Sequence, residues 1–412
     1  MSSVKLGLSY WMQLFLIPIY CLSFLIPRNP KLWLFGSTFG NRFADNPKYF
    51  YLYCNQFHKD RKNGGIRAVW ITKQKEIVKL LRKNGYEVYY RYSLKGIWCC
   101  LRGKVYIFDN YSKDISFWLS GGAVKINLWH GIPLKKIQKD NCFDQVRNSK
   151  KWSDRWRYAL RRMTDEKPSH YILTTSKKLI SIFSSAFGTK RVLTSGYPRN
   201  DSLLSEKISN LKTKQEIQDE KRLFKIYQQE KFEKIIFYMP TFRDSEEKFF
   251  HIISFERLNR YLLENKYLLC VKLHPKSKLE KKFHELEKEK SPIIVLHSED
   301  DPYIFLKKAD MLITDYSSIF FDYLYLNRPL VFFDYDKEEY LTHSRKFYFD
   351  YNKITPGKKA ETMEELFAAI NQGFEYKQEW EEQRLYLKEK IFGSTNELAS
   401  KKLYSDIINI IK

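Results

Sequence analysis

At 412 residues the chain has room for two domains of ordinary size, each able to bury its own core. Hydrophobic residues at 43% beside 29% charged residues exclude an intrinsically disordered chain. Lysine and arginine (72) outnumber aspartate and glutamate (48), and the resulting +24 suits polyanions: nucleic acid, an anionic membrane face or phosphorylated substrates.

Residues 6–26 are mostly apolar, with Lys5 before them and Arg28 and Lys31 after, but Ser9, Gln13, Pro18 and Ser23 interrupt the run. Its length nearly spans a bilayer, and three readings stand: a transmembrane anchor, an interfacial helix, or an apolar helix packed on the body. Residues 1–28 are assigned as a membrane-associating segment. No A-x-A-like cleavage site precedes Pro27. The six cysteines include no CxxC pair and no zinc-type spacing, which reads as reduced thiols.

Strands are then expected at 31–35, 66–71, 86–90, 105–108 and 123–129, with a helix at 75–83, the alternation of a parallel sheet. The first strand runs into Gly36-Ser37-Thr38-Phe39-Gly40-Asn41, which suits a ligand-facing loop or a plain turn. The fifth ends on His130-Gly131-Ile132-Pro133. An imidazole at a strand's C-terminal end can act as general base near neutral pH, or be a hydrogen-bonded structural histidine. Residues 135–162 interleave Trp152, Trp156 and Tyr158 with ten basic residues. That pattern suits the headgroup layer of an anionic membrane; a solvated basic face and nucleic-acid contact are the alternatives. Strands at 171–174 and 192–194, with a helix at 177–187 between them, complete the first domain, 29–204. Arg199, past the last strand, could grip a phosphate or pair with Asp201.

Residues 205–234 are dominated by Lys, Glu, Gln and Asp with sparser apolar residues, and read as an exposed helical connector. Alternation resumes across a second domain, 235–375, followed by C-terminal helices at 376–412. Its strands at 235–238, 267–273, 293–296, 311–314 and 330–333 deliver Pro240-Thr241-Phe242-Arg243, His274-Pro275-Lys276, His297-Ser298 and Asp315-Tyr316-Ser317-Ser318. Polar, ligand-type residues just past strand ends are what a nucleotide-binding α/β sheet requires. Ser317 or Ser318 could cap the following helix, bind a phosphate at its N-terminus, or both.

The ordered set Trp129-His130-Gly131-Ile132-Pro133-Leu134-Lys135, Gly196-Tyr197-Pro198-Arg199-Asn200-Asp201, Pro240-Thr241-Phe242-Arg243, Lys272-Leu273-His274-Pro275 and Thr314-Asp315-Tyr316-Ser317-Ser318 resembles the CDP-glycerol glycerophosphotransferases. These are the teichoic acid primases and polymerases, with capsule-locus relatives. The resemblance implies an α/β GT-B fold of two Rossmann-like domains facing across a cleft. It also implies transfer of glycerol phosphate or ribitol phosphate from CDP-glycerol or CDP-ribitol, with release of CMP. The acceptor would be a lipid-linked (polyprenyl diphosphate) saccharide or polymer, at the cytoplasmic face of the cell membrane.

By the same resemblance His130 is the general base and His274 its partner at the donor diphosphate. Trp129, Gly131, Ile132, Pro133, Arg199, Pro240, Thr241, Leu273, Ser317, Ser318 and Asp322 fall at CDP-alditol-binding positions. Arg243, Lys272 and Lys276 are candidates for neutralising phosphate charge. Ile132 stands where the polymerases usually carry Thr, and Phe242 where Trp is common. Set against the large N-terminal extension of the long polymerases, this sequence favours a primase-like or capsule enzyme, with processive polymerisation left open. No cofactor is expected to be obligatory; Mg is compatible with the chemistry, but no protein-held metal site is expected. Asp334-Tyr335-Asp336 has the DxD form of another transferase class, and its position points to a surface or hinge role. The rival readings are a GT-B glycosyltransferase using a nucleotide sugar and a non-enzymatic basic anchor; a nucleic-acid partner is not expected, because no recognised motif accompanies the charge.

Overall fold

The computed structural model describes residues 13–58, 65–142, 151–166, 169–206, 210–243, 246–274, 276–287, 291–343, 346–376, 378–393 and 397–412. They form two compact units, each an α/β body around its own parallel sheet.

The first unit carries β1 (Asn29–Phe35), β2 (Arg67–Thr72), β3 (Val88–Tyr90), β4 (Gly103–Phe108), β5 (Val124–Asn127), β6 (Tyr171–Leu173) and β7 (Val192–Leu193). All pair in parallel, in the order β3-β2-β1-β4-β5-β6-β7. The apolar runs are continuous because helices cover both faces. Leu34, Val69 and Tyr106 point into a core closed on one side by Cys99 and Cys100 of the helix Leu94–Arg102. β5 stops at Asn127, two residues short of the expected end, so Leu128 and Trp129 already belong to the loop that carries His130.

The second unit carries β8 (Lys234–Tyr238), β9 (Tyr267–Val271), β10 (Ile293–Val295), β11 (Met311–Thr314), β12 (Leu330–Phe333) and β13 (Lys358–Ala360), in the order β10-β9-β8-β11-β12-β13. In each sheet the strand order reverses beside the first strand: between β1 and β4, and between β8 and β11. Loops leaving the carboxyl ends there diverge to opposite faces and open a crevice for ligand.

Three expectations change. The N-terminal apolar run falls partly outside the described residues; from Gln13 it forms a 3-10 turn and the six-residue helix Ile17–Leu22, which begins with Pro18 in its first turn. Among the described residues no helix is long and apolar enough to cross a membrane. The segment is sewn to the first unit: Tyr20 stacks on Phe117 at 4.8 Å, and Arg28 donates to the carbonyls of Cys100 and Leu119.

The charged stretch 205–234, of which 207–209 lie outside the described residues, is not a free connector. From Leu211 it belongs to the second unit. The helix Lys214–Gln229 starts with a capping box made by Thr213 and Glu216, and it buries Glu216, Asp219 and Leu223. Glu216 accepts the Asp301 N–H and Arg222 donates to the Val295 carbonyl, so its charges are spent on backbone groups of the sheet's loops.

The C-terminal helices divide. Glu381–Phe392 stays with the second unit up to Ile391, while Phe392–Lys412 belongs to the first. Ala399–Ile411 has no capping side chain of its own; Asp201 accepts the N–H groups of Ala399 and Ser400, each at 2.8 Å. Burial pushes this carboxyl up to about 6 from the ordinary 3.8. The folded state therefore holds its proton more tightly, and the residue's contribution declines as pH rises through about 6. Asp201→Ala orphans two buried donors and is expected to cost about 1–3 kcal/mol in urea denaturation. The loss should be larger at pH 5 than at pH 8; an unchanged midpoint at both would show that the cap is dispensable.

Candidate active site

In the first unit, the problem after β5 is that four successive carbonyls leave the sheet without ladder partners. Each is taken by a side-chain donor. Asn46 donates to Leu128 and Trp129 (3.3 and 2.8 Å), Arg199 to His130 (2.7 Å), and the Tyr197 hydroxyl to Gly131 (3.0 Å). The Asn127 carboxamide accepts the Trp129 N–H at 2.8 Å, which turns the chain so that Trp129 is left-handed (φ 54°) and Gly131 adopts φ 151°. The strained corner pushes the imidazole of His130 outward, exposed, with the buried Trp129 ring 3.9 Å beneath it.

His130 Nδ1 lies 3.3 Å from the Asp109 carbonyl. A carbonyl only accepts, so that bond puts the proton on Nδ1 and leaves the Nε2 lone pair facing outward. That tautomer is a base. Asp109 is a site residue that the sequence reading misses; its only signal is a polar pair, Asp109-Asn110, ending the buried run of β4. Its carboxylate accepts from the Ser37 hydroxyl (2.6 Å) and the Thr38 N–H (3.1 Å). Burial, and then the neighbouring Asp114, push its pKa up.

Arg199 does not present itself to a ligand. It is 3% exposed, and besides the His130 carbonyl its Nη1 meets Asp45 Oδ1 at 2.8 Å. The guanidinium is a brace for the histidine loop. Trp129, Gly131, Ile132 and Pro133 are likewise buried. Ile132–Lys135 belong to the second unit, where the Leu134 carbonyl accepts the Tyr348 N–H.

In the second unit the crevice between β8 and β11 is built on Arg243. Its guanidinium is 8% exposed and pairs with Asp315 at 2.7 Å and with both carboxylate oxygens of Asp336, while also donating to the Thr241 carbonyl. Asp315 in turn accepts the Thr241 N–H at 2.9 Å, and the Tyr316 hydroxyl reaches Asp336 at 3.2 Å. Arg243 is therefore paired inside the fold, and it also lines the cleft that Thr241 and His274 face. The same bonds overturn the surface or hinge reading of Asp334-Tyr335-Asp336, since both aspartates are buried. Among the described residues no group of three or more His, Cys, Asp or Glu side chains could hold a metal ion.

Lys272 is also internal: its ammonium donates to the carbonyls of His297 (3.2 Å) and Ser298 (2.9 Å), fixing the loop after β10. Lys276 is exposed. Pro275 and Asp244 lie outside the described residues. His274 stands exposed past β9, its ring 4.9 Å from Phe242. Its Nδ1 accepts the Lys276 backbone N–H at 3.2 Å, so the proton sits on Nε2. This imidazole is the donor, opposite in sense to His130. Partial burial, then the charges of Lys276 and Lys272, lower its pKa. It stays neutral at pH 7, and Lys276→Ala is expected to raise its titration midpoint in histidine NMR; a midpoint that stays or falls would remove that cation from the account.

Pro240, Thr241, Phe242, Arg243, Leu273, His274 and Ser277 line one cleft. Thr241 Oγ1 is buried there without a hydrogen-bond partner. Ser317 and Ser318, half-buried, follow Asp315 in the neighbouring turn. Ser318 precedes the helix Ile319–Tyr323 but makes no side-chain cap, because its own backbone is already helical (φ −69°, ψ −4°) and its hydroxyl is not aimed at the next turn. Asp322 is buried one turn on and accepts the Tyr303 hydroxyl at 2.7 Å, so it supports the turn from inside.

Residues 19–409 match the family described as CDP-glycerol:poly(glycerophosphate) glycerophosphotransferase. The chain belongs to that family. It is thus a transferase of the teichoic acid glycerol- or ribitol-phosphate group. Similar proteins include a teichoic acid poly(glycerol phosphate) polymerase of Bacillus spizizenii, 29% identical over 88% of this chain and 90% of that one. A teichoic acid glycerol-phosphate transferase of Staphylococcus aureus is 28% identical over 92% of this chain and 93% of that one. In fold the chain is similar to the wall teichoic acid polymerase TagF, with a TM-score of 0.71 at 23% identity, covering 98% of this chain and 96% of that one.

Proposed function

We propose that this family member transfers glycerol phosphate from CDP-glycerol to a hydroxyl of a lipid-linked saccharide or polymer, releasing CMP. The observation that carries the reading is the pair of opposite tautomers: an outward Nε2 lone pair on His130 and an outward Nε2–H on His274. The acceptor oxygen attacks the phosphorus that bears glycerol, and its proton passes to His130 Nε2. The bond from that phosphorus to the bridging oxygen breaks, and His274 Nε2–H donates to the departing CMP phosphate. Catalysis here is positioning and charge stabilisation, with the general base adding about 10²–10⁴-fold. Thr241 supplies its hydroxyl, and Ser317 and Ser318 their hydroxyl and backbone donors, to the diphosphate; Arg199 and Asp322 act from behind as positioning residues.

Incubation with CDP-glycerol, CDP-ribitol and UDP-sugars in the presence of a short lipid acceptor, scoring nucleotide release, tests this. CMP from CDP-glycerol is expected. Release of UDP alone would make the chain a glycosyltransferase.

Association with an anionic membrane surface is part of the same reading. Phe15, Leu22 and Leu25 expose large apolar side chains on the N-terminal segment, and Trp152 and Trp156 are 73% and 56% exposed on the helix Trp152–Arg161. Residues 143–150, which carry part of the basic stretch, lie outside the described residues. Trp152→Ala/Trp156→Ala is expected to weaken flotation with phosphatidylglycerol vesicles several-fold; equal flotation would remove this helix from the membrane contact.

A further inference from the structure

The loop at 36–41 is built more expensively than a turn requires. Thr38 (φ 48°), Phe39 (φ 58°) and Gly40 (φ 84°) are left-handed in succession, and the two non-glycine residues cost on the order of 1–2 kcal/mol each. Asp109 holds the Thr38 N–H and Asp114 the Phe39 N–H (2.8 Å). The loop lies so close to the Ser112–Asp114 turn that a Cβ on Gly36 would sit 2.9 Å from the Asp114 carbonyl oxygen. The result is a specific arrangement. The half-buried Phe39 ring lies nearly parallel to Tyr111, 6.2 Å away, with the Lys113 ammonium 4.6 Å from one centroid and 5.7 Å from the other.

Two more cations stand beside it. Lys73 follows β2, and its N–H donates to the Gly40 carbonyl; Arg91 follows β3 and donates to the Lys113 carbonyl. Burial, then the charges of Arg91 and Lys113, lower the Lys73 pKa, with the buried Asp114 as the opposing charge. These elements meet at the sheet's carboxyl edge, at its switch point between β1 and β4. They share an anchor with the base, because the Asp109 that holds the loop also accepts from His130 Nδ1.

We propose that Phe39, Tyr111 and Lys113, flanked by Lys73 and Arg91, form the subsite for the phosphate-bearing sugar or polyol end of the acceptor. Aromatic faces take the C–H face of a sugar or polyol, and the ammonium and guanidinium groups take its phosphate. This rests on the transferase reading above and names the residues that select the acceptor within it.

The test is steady-state CMP release with CDP-glycerol and two synthetic acceptors, one ending in a glycerol phosphate and one in a phosphate-free sugar. Lys113→Ala is expected to raise KM roughly tenfold for the phosphate-bearing acceptor, leaving the phosphate-free acceptor and the donor KM within about twofold. Phe39→Ala is expected to raise KM for both acceptors. Lys113 is half-buried in the Ser112–Asp114 turn, outside the strained loop, so its variant remains informative if Phe39→Ala fails to fold. Unchanged acceptor KM in Lys113→Ala, or a rise in donor KM instead, would overturn the subsite. No CMP release by the wild type with either acceptor would overturn the transferase reading itself, a result distinguishable from the first.

Discussion

His130→Ala is expected to reduce CMP release by about 10²–10⁴-fold while leaving CDP-glycerol affinity within about twofold. The reasoning is local. The imidazole is exposed, held by its Nδ1 bond to the Asp109 carbonyl with the Trp129 ring tilted against it, and its removal orphans no buried donor. A loss of donor binding in place of turnover would mean that His130 holds the donor. Arg199→Ala should fall between: it unpins the His130 carbonyl and leaves Asp45 without its cation, so kcat drops while the pH profile shifts as the loop no longer holds the imidazole against the Asp109 carbonyl. A purely structural role would lower the melting temperature and leave the profile of the surviving fraction alone.

The second large effect is on stability. Arg243→Ala leaves Asp315 and Asp336 as buried carboxylates without their shared cation, and the cost of breaking such a pair is about 3–5 kcal/mol. Urea denaturation should show it, together with a raised donor KM, since the Thr241 loop is tied to the same aspartate. Arg243→Lys is expected to recover only part, because a single ammonium cannot satisfy two carboxylates and a carbonyl in one plane. Full stability in Arg243→Ala would show that the cluster is solvated and that the crevice is supported from elsewhere.

The sheets were legible in the sequence because strands buried on both faces are unbroken apolar runs, and the helix at 75–83 is Lys75–Lys83 in the structure. The positions of His130, His274 and Thr241 just past strand ends followed from the same runs. Charge was harder to place. Arg199, Arg243 and Lys272 carry the residue types that bind phosphate, but each finds its partners inside the fold: Asp45 is 154 positions away from Arg199, and Asp336 is 93 from Arg243. No local pattern encodes such a pairing. The same holds for Glu216 and Asp219, whose helix looked solvent-exposed because its buried side combines carboxylates bonded to backbone with Leu223 in place of an apolar stripe. Phe39 and Tyr111 are brought together by an unusual backbone that no residue propensity announces.

If His130 works as the base and His274 as the donor, they must present Nε2 in opposite states, bare on His130 and protonated on His274. Long-range proton–nitrogen NMR of the imidazoles, recorded at pH 8 with His130→Gln and His274→Gln to assign them, tests this directly. The expected result is a proton on Nδ1 of His130 and on Nε2 of His274. A proton on Nε2 of His130, or the same tautomer on both rings, would contradict it.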